Sequence, residues 1–186
     1  MLNLRDIALI VFVVWVTIDG VVVFRHRTGA AENRDKSSLK VIVIIGPLGW
    51  LGGIALSFTS IGSLHWPALQ VAGLALMAIG IVVRSTAIAQ LGRFHTPNVA
   101  IRADHRLLDT GLYAFVRHPS YLGALIAFLG LSFAMDNWLS VVVIMAVTPL
   151  IYLYRMHEED AALLAAFGDS YRAYCQCSKR LIPWVY

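Results

Sequence analysis

The chain has 186 residues, of which 59% are apolar and 14% are charged, and its formal net charge is +4. Because a typical soluble domain has about 25% charged residues, this composition excludes an ordinary soluble globular domain and a disordered chain. Two cysteines, Cys175 and Cys177, are too few for a disulfide framework or a four-ligand metal site, and the basic charge is typical of cytoplasmic loops in membrane proteins rather than of a nucleic-acid-binding surface.

Five apolar segments predict membrane-spanning helices: residues 7–24, 41–60, 67–91, 120–135 and 138–154. About 20 helical residues cross a hydrocarbon core of roughly 30 Å, and the first three segments meet that length. The last two are shorter, and only Asp136 and Asn137 separate them. They predict a helical hairpin that either spans a thinned bilayer or stops short of the far leaflet. The expected fold class is therefore an all-α, polytopic integral membrane protein with about five transmembrane helices.

Basic residues gather on one side of this predicted topology. Lys and Arg occupy residues 25–40, residues 92–119 and the tail after residue 154, whereas loop 61–66 is uncharged and the hairpin tip has only Asp136. Cytoplasmic loops of membrane proteins carry the excess of Lys and Arg. The N-terminus is therefore expected outside and the C-terminus in the cytoplasm.

Several residues inside the apolar segments indicate how the helices pack. Asp19 and Arg84 lie near the cytoplasmic ends of their segments, where they either pair with each other or contact a substrate. Small residues four positions apart allow two helices to approach closely. Two such pairs occur, Gly49 with Gly53 and Gly123 with Ala127.

Two cytoplasmic pieces carry nearly all the reactive side chains: the connection 92–119 and the tail after residue 152. Both leave the membrane at the base of the predicted hairpin, so their side chains are expected to be neighbours. If the last helix continues past the membrane, Tyr152, Arg155 and Glu159 share one face. Arg155 and Glu159 are then either an ordinary surface pair or functional groups at the edge of an apolar span.

A short polar motif, Arg117-His118-Pro119, stands where the fourth segment begins. Proline is common in the first turn of a helix, where its missing N–H has no helical partner anyway. Arg117 and His118 are then either interfacial anchors that reach the lipid headgroups or part of an anion site at the start of the helix.

The C-terminal half also carries a family resemblance. It contains, in order, LLDTGLY at 107–113, RHPSYLG at 117–123, Arg155 followed four residues later by Glu159, FG-x-x-Y-x-x-Y at 167–174 and RLIP at 180–183. This combination resembles the isoprenylcysteine carboxyl methyltransferase family and the related phospholipid methyltransferases, over about residues 90–186. The resemblance implies a helical membrane enzyme with S-adenosylmethionine in a cytoplasmic pocket built by the connection 92–119 and the tail.

The resemblance also implies roles for individual residues. The catalytic residues would be Arg117 and Glu159, with Glu158 as the nearest substitute because the chain reads Glu158-Glu159-Asp160. The cofactor-binding residues would be His105, Leu108, Gly111, Tyr113, His118, Pro119, Tyr121 and Arg155. Residues 1–91 would form three N-terminal transmembrane helices, and residues 92–186 a methyltransferase core. The implied partners are the lipid bilayer and a lipophilic or prenylated acceptor, with no metal.

The chemistry of the acceptor decides which side chains the reaction needs. A carboxylate is already ionised at neutral pH and needs a cation to hold it, for which the Arg117 guanidinium is suited. A thiol or an amine benefits from a base, and Glu159 could act as one. Two other classes stay open at this point, an NADPH-dependent lipid or sterol-type reductase and a non-catalytic membrane scaffold.

Overall fold

The computed structural model of the chain describes residues 2–25, 32–33, 41–95, 100–101, 106–183 and 185. Almost all regular structure in these residues is helical, as predicted. One short antiparallel pair joins β1 (Glu32–Asn33) to β2 (Ala100–Ile101). The α-helices are α1 (Leu4–Arg25), α2 (Gly46–Leu56), α3 (Pro67–Leu91), α4 (Pro119–Ala134), α5 (Trp138–Phe167) and α6 (Asp169–Cys177).

Two helical segments, Pro67–Phe94 and Trp138–Phe167, are long and apolar enough to cross a membrane by length and composition. Two shorter apolar helices, Ile42–Leu56 and Pro119–Ala134, accompany them among the described residues. Many large apolar side chains on the helices are exposed, Leu150 at 68% among them, which is the pattern of a surface that faces lipid. The number of spans and the side of each terminus stay predictions.

The second apolar segment forms a shorter helix than predicted. Residues Val41–Ile45 form a π-helical turn, and α2 then ends at Leu56. Beyond Leu56 the N–H groups of Ser57, Phe58 and Thr59 bond to carbonyls three residues back, which tightens the end of the helix. Two hydroxyls donate to these carbonyls as well. The Ser57 hydroxyl donates to the Ile54 carbonyl at 2.6 Å, and the Thr59 hydroxyl donates to the Leu56 carbonyl at 2.8 Å.

The hairpin between α4 and α5 is confirmed, and its tip is fixed by side chains. Asn137 caps α5, since its Oδ1 accepts a hydrogen bond from the Ser140 N–H at 3.1 Å. The Asn137 amide also donates to the Ile61 carbonyl at 2.8 Å. Asp136, in a left-handed conformation at φ +54°, accepts from the Trp66 N–H at 3.0 Å. The uncharged loop 61–66 and the hairpin tip therefore form one polar layer at this end of the bundle.

Glycines bring α3 and α4 into backbone contact. A Cβ added to Gly80 would lie 2.3 Å from the Ala127 nitrogen, and one added to Gly123 would lie 2.4 Å from the Arg84 nitrogen. Gly73 and Gly130 face the opposite helix in the same way. The predicted close approach at Gly123 and Ala127 is confirmed. So is that at Gly49 and Gly53, where added Cβ atoms would meet Val147 at 2.7 Å and Ile144 at 2.6 Å.

We expect Gly80→Ala to destabilise the protein strongly, because the new methyl group would have to displace the backbone of α4. Gly52→Ala is the matched control, since nothing lies within 4 Å of a Cβ at Gly52 and alanine is favoured over glycine in a helix by about 0.5–1 kcal/mol. Thermal unfolding of both variants in detergent measures the difference. An equal unfolding midpoint for the two variants would contradict this account of α3–α4 packing.

Candidate active site

Helix α5 continues well beyond the predicted apolar segment, to Phe167, and carries the acidic residues with it. Arg155 and Glu159 lie on one face, and the Arg155 Nε donates to Glu159 Oε1 at 2.9 Å. Tyr152 shares that face, with its ring centroid 5.0 Å from that of Tyr121 on α4. The predicted continuation of the helix and the shared face are both confirmed.

The start of α4 meets this face of α5. Pro119 begins the helix and is buried, which places His118 immediately before it. His118 Nε2 lies 2.7 Å from Asp160 Oδ1, and His118 Nδ1 lies 3.5 Å from Glu159 Oε2. The Tyr121 hydroxyl donates a hydrogen bond to Glu159 Oε1. Residues far apart in sequence are thus joined through two adjacent carboxylates.

The C-terminal part of the chain closes the same cluster. The Tyr171 hydroxyl on α6 donates to Asp160 Oδ1 at 2.6 Å, and Arg180 Nε donates to Asp160 Oδ2 at 2.8 Å. The backbone N–H of His118 also donates to the Arg180 carbonyl at 3.2 Å. We refer to the side chains joined in this way as the carboxylate cluster: His118, Tyr121, Arg155, Glu159, Asp160, Tyr171 and Arg180.

The carboxylate cluster is buried at one side and open at the other. The His118 and Arg155 side chains are 4% and 3% exposed, whereas those of Glu159 and Asp160 are 24% and 22% exposed. Burial alone would lower the pKa of His118, but the hydrogen bonds and negative charges of Asp160 and Glu159 outweigh it and raise this pKa above its ordinary value. Both ring nitrogens of His118 therefore face carboxylates, and these two carboxylates also face the guanidinium groups of Arg155 and Arg180.

Tyrosines tie the connection before α4 to the rest of the site. The Tyr174 hydroxyl donates to the Tyr113 carbonyl at 2.6 Å, and the Tyr113 hydroxyl donates to the Ala87 carbonyl on α3 at 3.3 Å. Burial raises the pKa of Tyr174 to about 12. Burial and the hydrogen bond to Asp160 likewise raise the pKa of Tyr171. Both phenols therefore stay protonated donors at physiological pH.

Gly111 occupies a position in which a side chain would not fit. It begins the 3-10 turn Gly111–Ala114 with φ at +62°, and an added Cβ would lie 2.6 Å from the Gln90 amide nitrogen. The Leu112 N–H donates to Gln90 Oε1 at 3.0 Å. The turn that follows Leu108 is therefore held against the end of α3.

The Arg117 guanidinium binds backbone carbonyls at the end of α6. Its Nη1 donates to the carbonyls of Ser178 at 2.7 Å and Cys175 at 3.3 Å, at the C-terminal end of α6. Its Nε is buried without a hydrogen-bond partner among the described residues. Arg117 thus holds the tail next to His118, and its catalytic role stays a prediction.

Of the other predicted site residues, the structure describes Glu158 and Leu108 but not His105. Glu158 is half-buried and makes no hydrogen bond or ion pair within the described part of the chain. Leu108 is half-buried beside the turn at Gly111. His105 lies outside the described residues. In the ranges that the structure describes, no group of three or more His, Cys, Asp or Glu side chains is arranged to hold a metal ion.

Three members of the cluster, Asp160, Tyr171 and Arg180, were not among the predicted site residues. Asp160 continues the acidic run after Glu159, while Tyr171 and Arg180 belong to the FG-x-x-Y-x-x-Y and RLIP motifs. Each motif was visible in the sequence. That Tyr171 and Arg180 converge on the Asp160 carboxylate follows only from the fold.

Comparison with known proteins places these elements in a family. The profile of the isoprenylcysteine carboxyl methyltransferase (ICMT) family matches residues 73–165, which is half of the chain. The chain belongs to this family. The matched range runs from α3 into the C-terminal part of α5 and includes five members of the carboxylate cluster: His118, Tyr121, Arg155, Glu159 and Asp160.

Individual relatives agree with this membership. A protein-S-isoprenylcysteine O-methyltransferase from Schizosaccharomyces pombe is 36% identical over 118 residues, covering 62% of this chain and 50% of the relative. Methanethiol S-methyltransferase 1 from Bradyrhizobium diazoefficiens is 40% identical over 73 residues, covering 39% of this chain and 25% of the relative.

A solved structure of a eukaryotic intramembrane Ras methyltransferase ICMT shares the fold at a TM-score of 0.62 and 27% identity, covering 77% of this chain and 52% of that one. The chain therefore spans about half the length of this ICMT and of the yeast relative. The fold resemblance also agrees with an integral membrane protein.

Proposed function

We propose that this chain is an S-adenosylmethionine-dependent methyltransferase that acts on a lipophilic acceptor at the membrane surface, most like a prenylcysteine carboxylate. The observation that carries the proposal is the meeting of α4 and α5 at the carboxylate cluster within the range matched by the ICMT family. The names of the relatives support transfer of a methyl group.

The charge of the carboxylate cluster is compatible with a methyl donor that has an anionic end. S-adenosylmethionine carries a carboxylate and, when bound, supplies a methyl group from a sulfonium. The two carboxylates are already paired with Arg155, Arg180 and His118, and the anionic end of the donor would lie beside these basic groups. Tyr121 belongs to the cluster, and the Tyr113 carbonyl is joined to α6 through Tyr174. Both stay proposed cofactor contacts together with Gly111, and methyl transfer would depend mainly on such positioning.

The hydrogen bonds of Glu159 favour an acceptor that needs no general base. Glu159 Oε1 accepts from Tyr121 and Arg155, while Oε2 faces His118 at 3.5 Å. A carboxylate with this set of donors is a poor proton acceptor. Because an acceptor carboxylate is already ionised at neutral pH, it fits the site better than an amine.

A small thiol is the second candidate acceptor. The similarity of residues in this chain to methanethiol S-methyltransferase 1 favours it. Thiols have a pKa of about 8.5 and are partly ionised near neutral pH, so a nearby cation could stabilise the thiolate without a base. The two candidates differ in the bond formed, which is an ester in the first and a thioether in the second.

The acceptor is identified by incubating purified protein with methyl-labelled S-adenosylmethionine and separate acceptors. We expect base-labile label on N-acetyl-S-farnesylcysteine and none on its amide, which keeps the prenyl group but has no carboxylate. Label on methanethiol would support the second candidate, and label on phosphatidylethanolamine would contradict both. If no acceptor is labelled and S-adenosylhomocysteine does not raise the unfolding midpoint, a reductase or a scaffold replaces the proposal.

The proposed topology follows from the charge distribution along the chain. The N-terminus would lie outside, and the carboxylate cluster and the C-terminus would lie at the cytoplasmic surface, where Lys and Arg residues gather. Residues 1–91 would form the membrane base and residues 92–186 the methyltransferase core. Labelling of the exposed Cys177 from the cytoplasmic side only, by a membrane-impermeant thiol reagent, is the corresponding test.

A further inference from the structure

An ion pair joins three helices inside the apolar part of the bundle. Arg84 on α3 donates from Nε and Nη2 to the two carboxylate oxygens of Asp19 on α1, at 2.7 Å each. This confirms the pairing of Asp19 with Arg84. The third nitrogen, Nη1, donates to the Ser120 carbonyl in the first turn of α4 at 3.3 Å. One guanidinium group, 9% exposed, therefore contacts α1, α3 and α4.

Stability alone does not explain such a pair among apolar helices. Removing two charges from water costs several kcal/mol per ion, and apolar side chains of similar volume often give equal or greater stability. Ionisable residues within membrane segments are rare and by default indicate a functional role. The three guanidinium nitrogens of Arg84 instead fix the position of α3 relative to α1 and α4.

The α3–α4 contact beside Arg84 leaves little freedom. A Cβ at Gly123 would lie 2.4 Å from the Arg84 nitrogen and 2.9 Å from its Cα. Ser120 is one turn before Gly123 on α4. The backbone contact sets the distance between α3 and α4. The hydrogen bond to the Ser120 carbonyl then sets the rotation of the first turn of α4 and its position along the helix axis.

That first turn carries the groups that reach Glu159. Tyr121 follows Ser120 directly, and its hydroxyl donates to Glu159. The Tyr121 ring packs against Tyr152, 5.0 Å between centroids. Arg84 lies close enough to Tyr121 and Tyr152 to interact electrostatically with both. Arg84 is therefore connected to Glu159 through the Ser120 carbonyl, the backbone between Ser120 and Tyr121, and the Tyr121 hydroxyl.

We infer that Arg84, oriented by Asp19, is a positioning residue that fixes the first turn of α4 and thereby the Tyr121 hydroxyl on Glu159. This inference rests on the proposed methyltransferase function for its effect on rate. It brings the N-terminal helix α1, which lies outside the range matched by the family, into the construction of the site.

The test compares two buried changes at opposite ends of the bundle. The first combines Asp19→Asn with Arg84→Met, so that no carboxylate is left unpaired in an apolar environment. The matched control is Ser140→Ala, which removes a buried hydrogen bond of 2.6 Å from Ser140 on α5 to the Gly53 carbonyl on α2. Hydrogen–deuterium exchange of residues 118–124, kcat and KM are measured for both, each with and without Tyr121→Phe.

We expect the paired variant to increase exchange in residues 118–124 and to lower kcat about tenfold or more with little change in KM, since small misplacements of catalytic groups cost up to about a hundredfold. Adding Tyr121→Phe should then lower kcat no further, because both changes remove the same contact. The control should keep the exchange and kcat of the wild type.

Unchanged exchange in residues 118–124, or effects of the paired variant and Tyr121→Phe that multiply, would overturn the inference. If the wild type itself transfers no methyl group, the proposed function fails, and exchange alone decides the positioning role. Arg84→Lys is the second variant should the paired variant not fold. It keeps the charge opposite Asp19 but lacks the fork, so the same increase in exchange is expected.

Discussion

Replacing Glu159 by glutamine is expected to lower methyl transfer by about a hundredfold or more while the protein still folds. Glu159 Oε1 accepts hydrogen bonds from Tyr121 and Arg155, and Oε2 faces the His118 ring. A neutral amide would remove the negative charge that faces Arg155, which is 2% exposed, and would weaken the contacts that orient Tyr121 and His118. A hundredfold loss corresponds to about 2.7 kcal/mol of lost transition-state stabilisation, since about 1.4 kcal/mol corresponds to a tenfold change in rate.

The measurement is the rate of methyl transfer at saturating donor, together with the unfolding midpoint and the binding of S-adenosylhomocysteine. Glu158→Gln distinguishes the two neighbouring glutamates, and we expect a change of less than about twofold because Glu158 has no partner in the described part of the chain. Asp169→Asn is the control, since its pair with Arg172 is solvent-exposed and such pairs contribute about 0–1 kcal/mol. A rate for Glu159→Gln within twofold of the wild type would remove Glu159 from the mechanism.

Stability in detergent is expected to fall as the pH rises above about 6.5, the value for an unperturbed histidine. Asp160 and Glu159 raise the pKa of His118 in the folded state, so the folded protein binds more protons than the unfolded chain in this range. The free energy of unfolding then decreases with pH. The contribution of His118 is fully present below its unfolded pKa and is lost as the pH rises through the higher folded pKa.

Asp160→Asn is expected to flatten this pH dependence and to lower stability on the acidic side. Asp160 accepts from His118, Tyr171 and Arg180, and hydrogen bonds to a charged group contribute about 1.5–3 kcal/mol. Without that charge only Glu159 opposes the effect of burial, so the pKa of His118 is expected to fall. The measurement is the unfolding midpoint against pH for wild type, Asp160→Asn and the surface control Asp169→Asn. If Asp160→Asn keeps the slope of the wild type, another group causes the pH dependence.

Much of the fold could be predicted because continuous runs of apolar residues identify membrane helices. The third segment was predicted at the bounds observed for α3, and the hairpin at Asp136 and Asn137 is confirmed. The second segment was predicted too long, since hydropathy does not record where the backbone leaves the helix, here after Leu56. The last apolar segment ends at Tyr154, but its helix was expected to continue past the membrane, and α5 does so to Phe167.

The sequence predicted which residues belong to the site better than it predicted what those residues contact. Motif spacing placed His118, Tyr121, Arg155 and Glu159 in one region, and the structure brings them together. Arg117 was expected to hold a carboxylate, yet its side chain donates to carbonyls at the end of α6. A motif fixes the order of residues, but the direction of a side chain depends on which distant backbone packs beside it.

The sequence by itself determined that this protein is a helical membrane protein, where most helices begin and end, and which family it resembles. Those properties depend on residues close in the chain, through apolar length, caps and short motifs. Only the tertiary structure decided that Asp160 joins His118 to Tyr171 and Arg180, and that Arg84 joins Asp19 to Ser120. Such contacts form between residues 11 to 65 positions apart, which no local pattern relates. For Arg84 and Ser120, glycine contacts between α3 and α4 fix the register that brings them within hydrogen-bond distance.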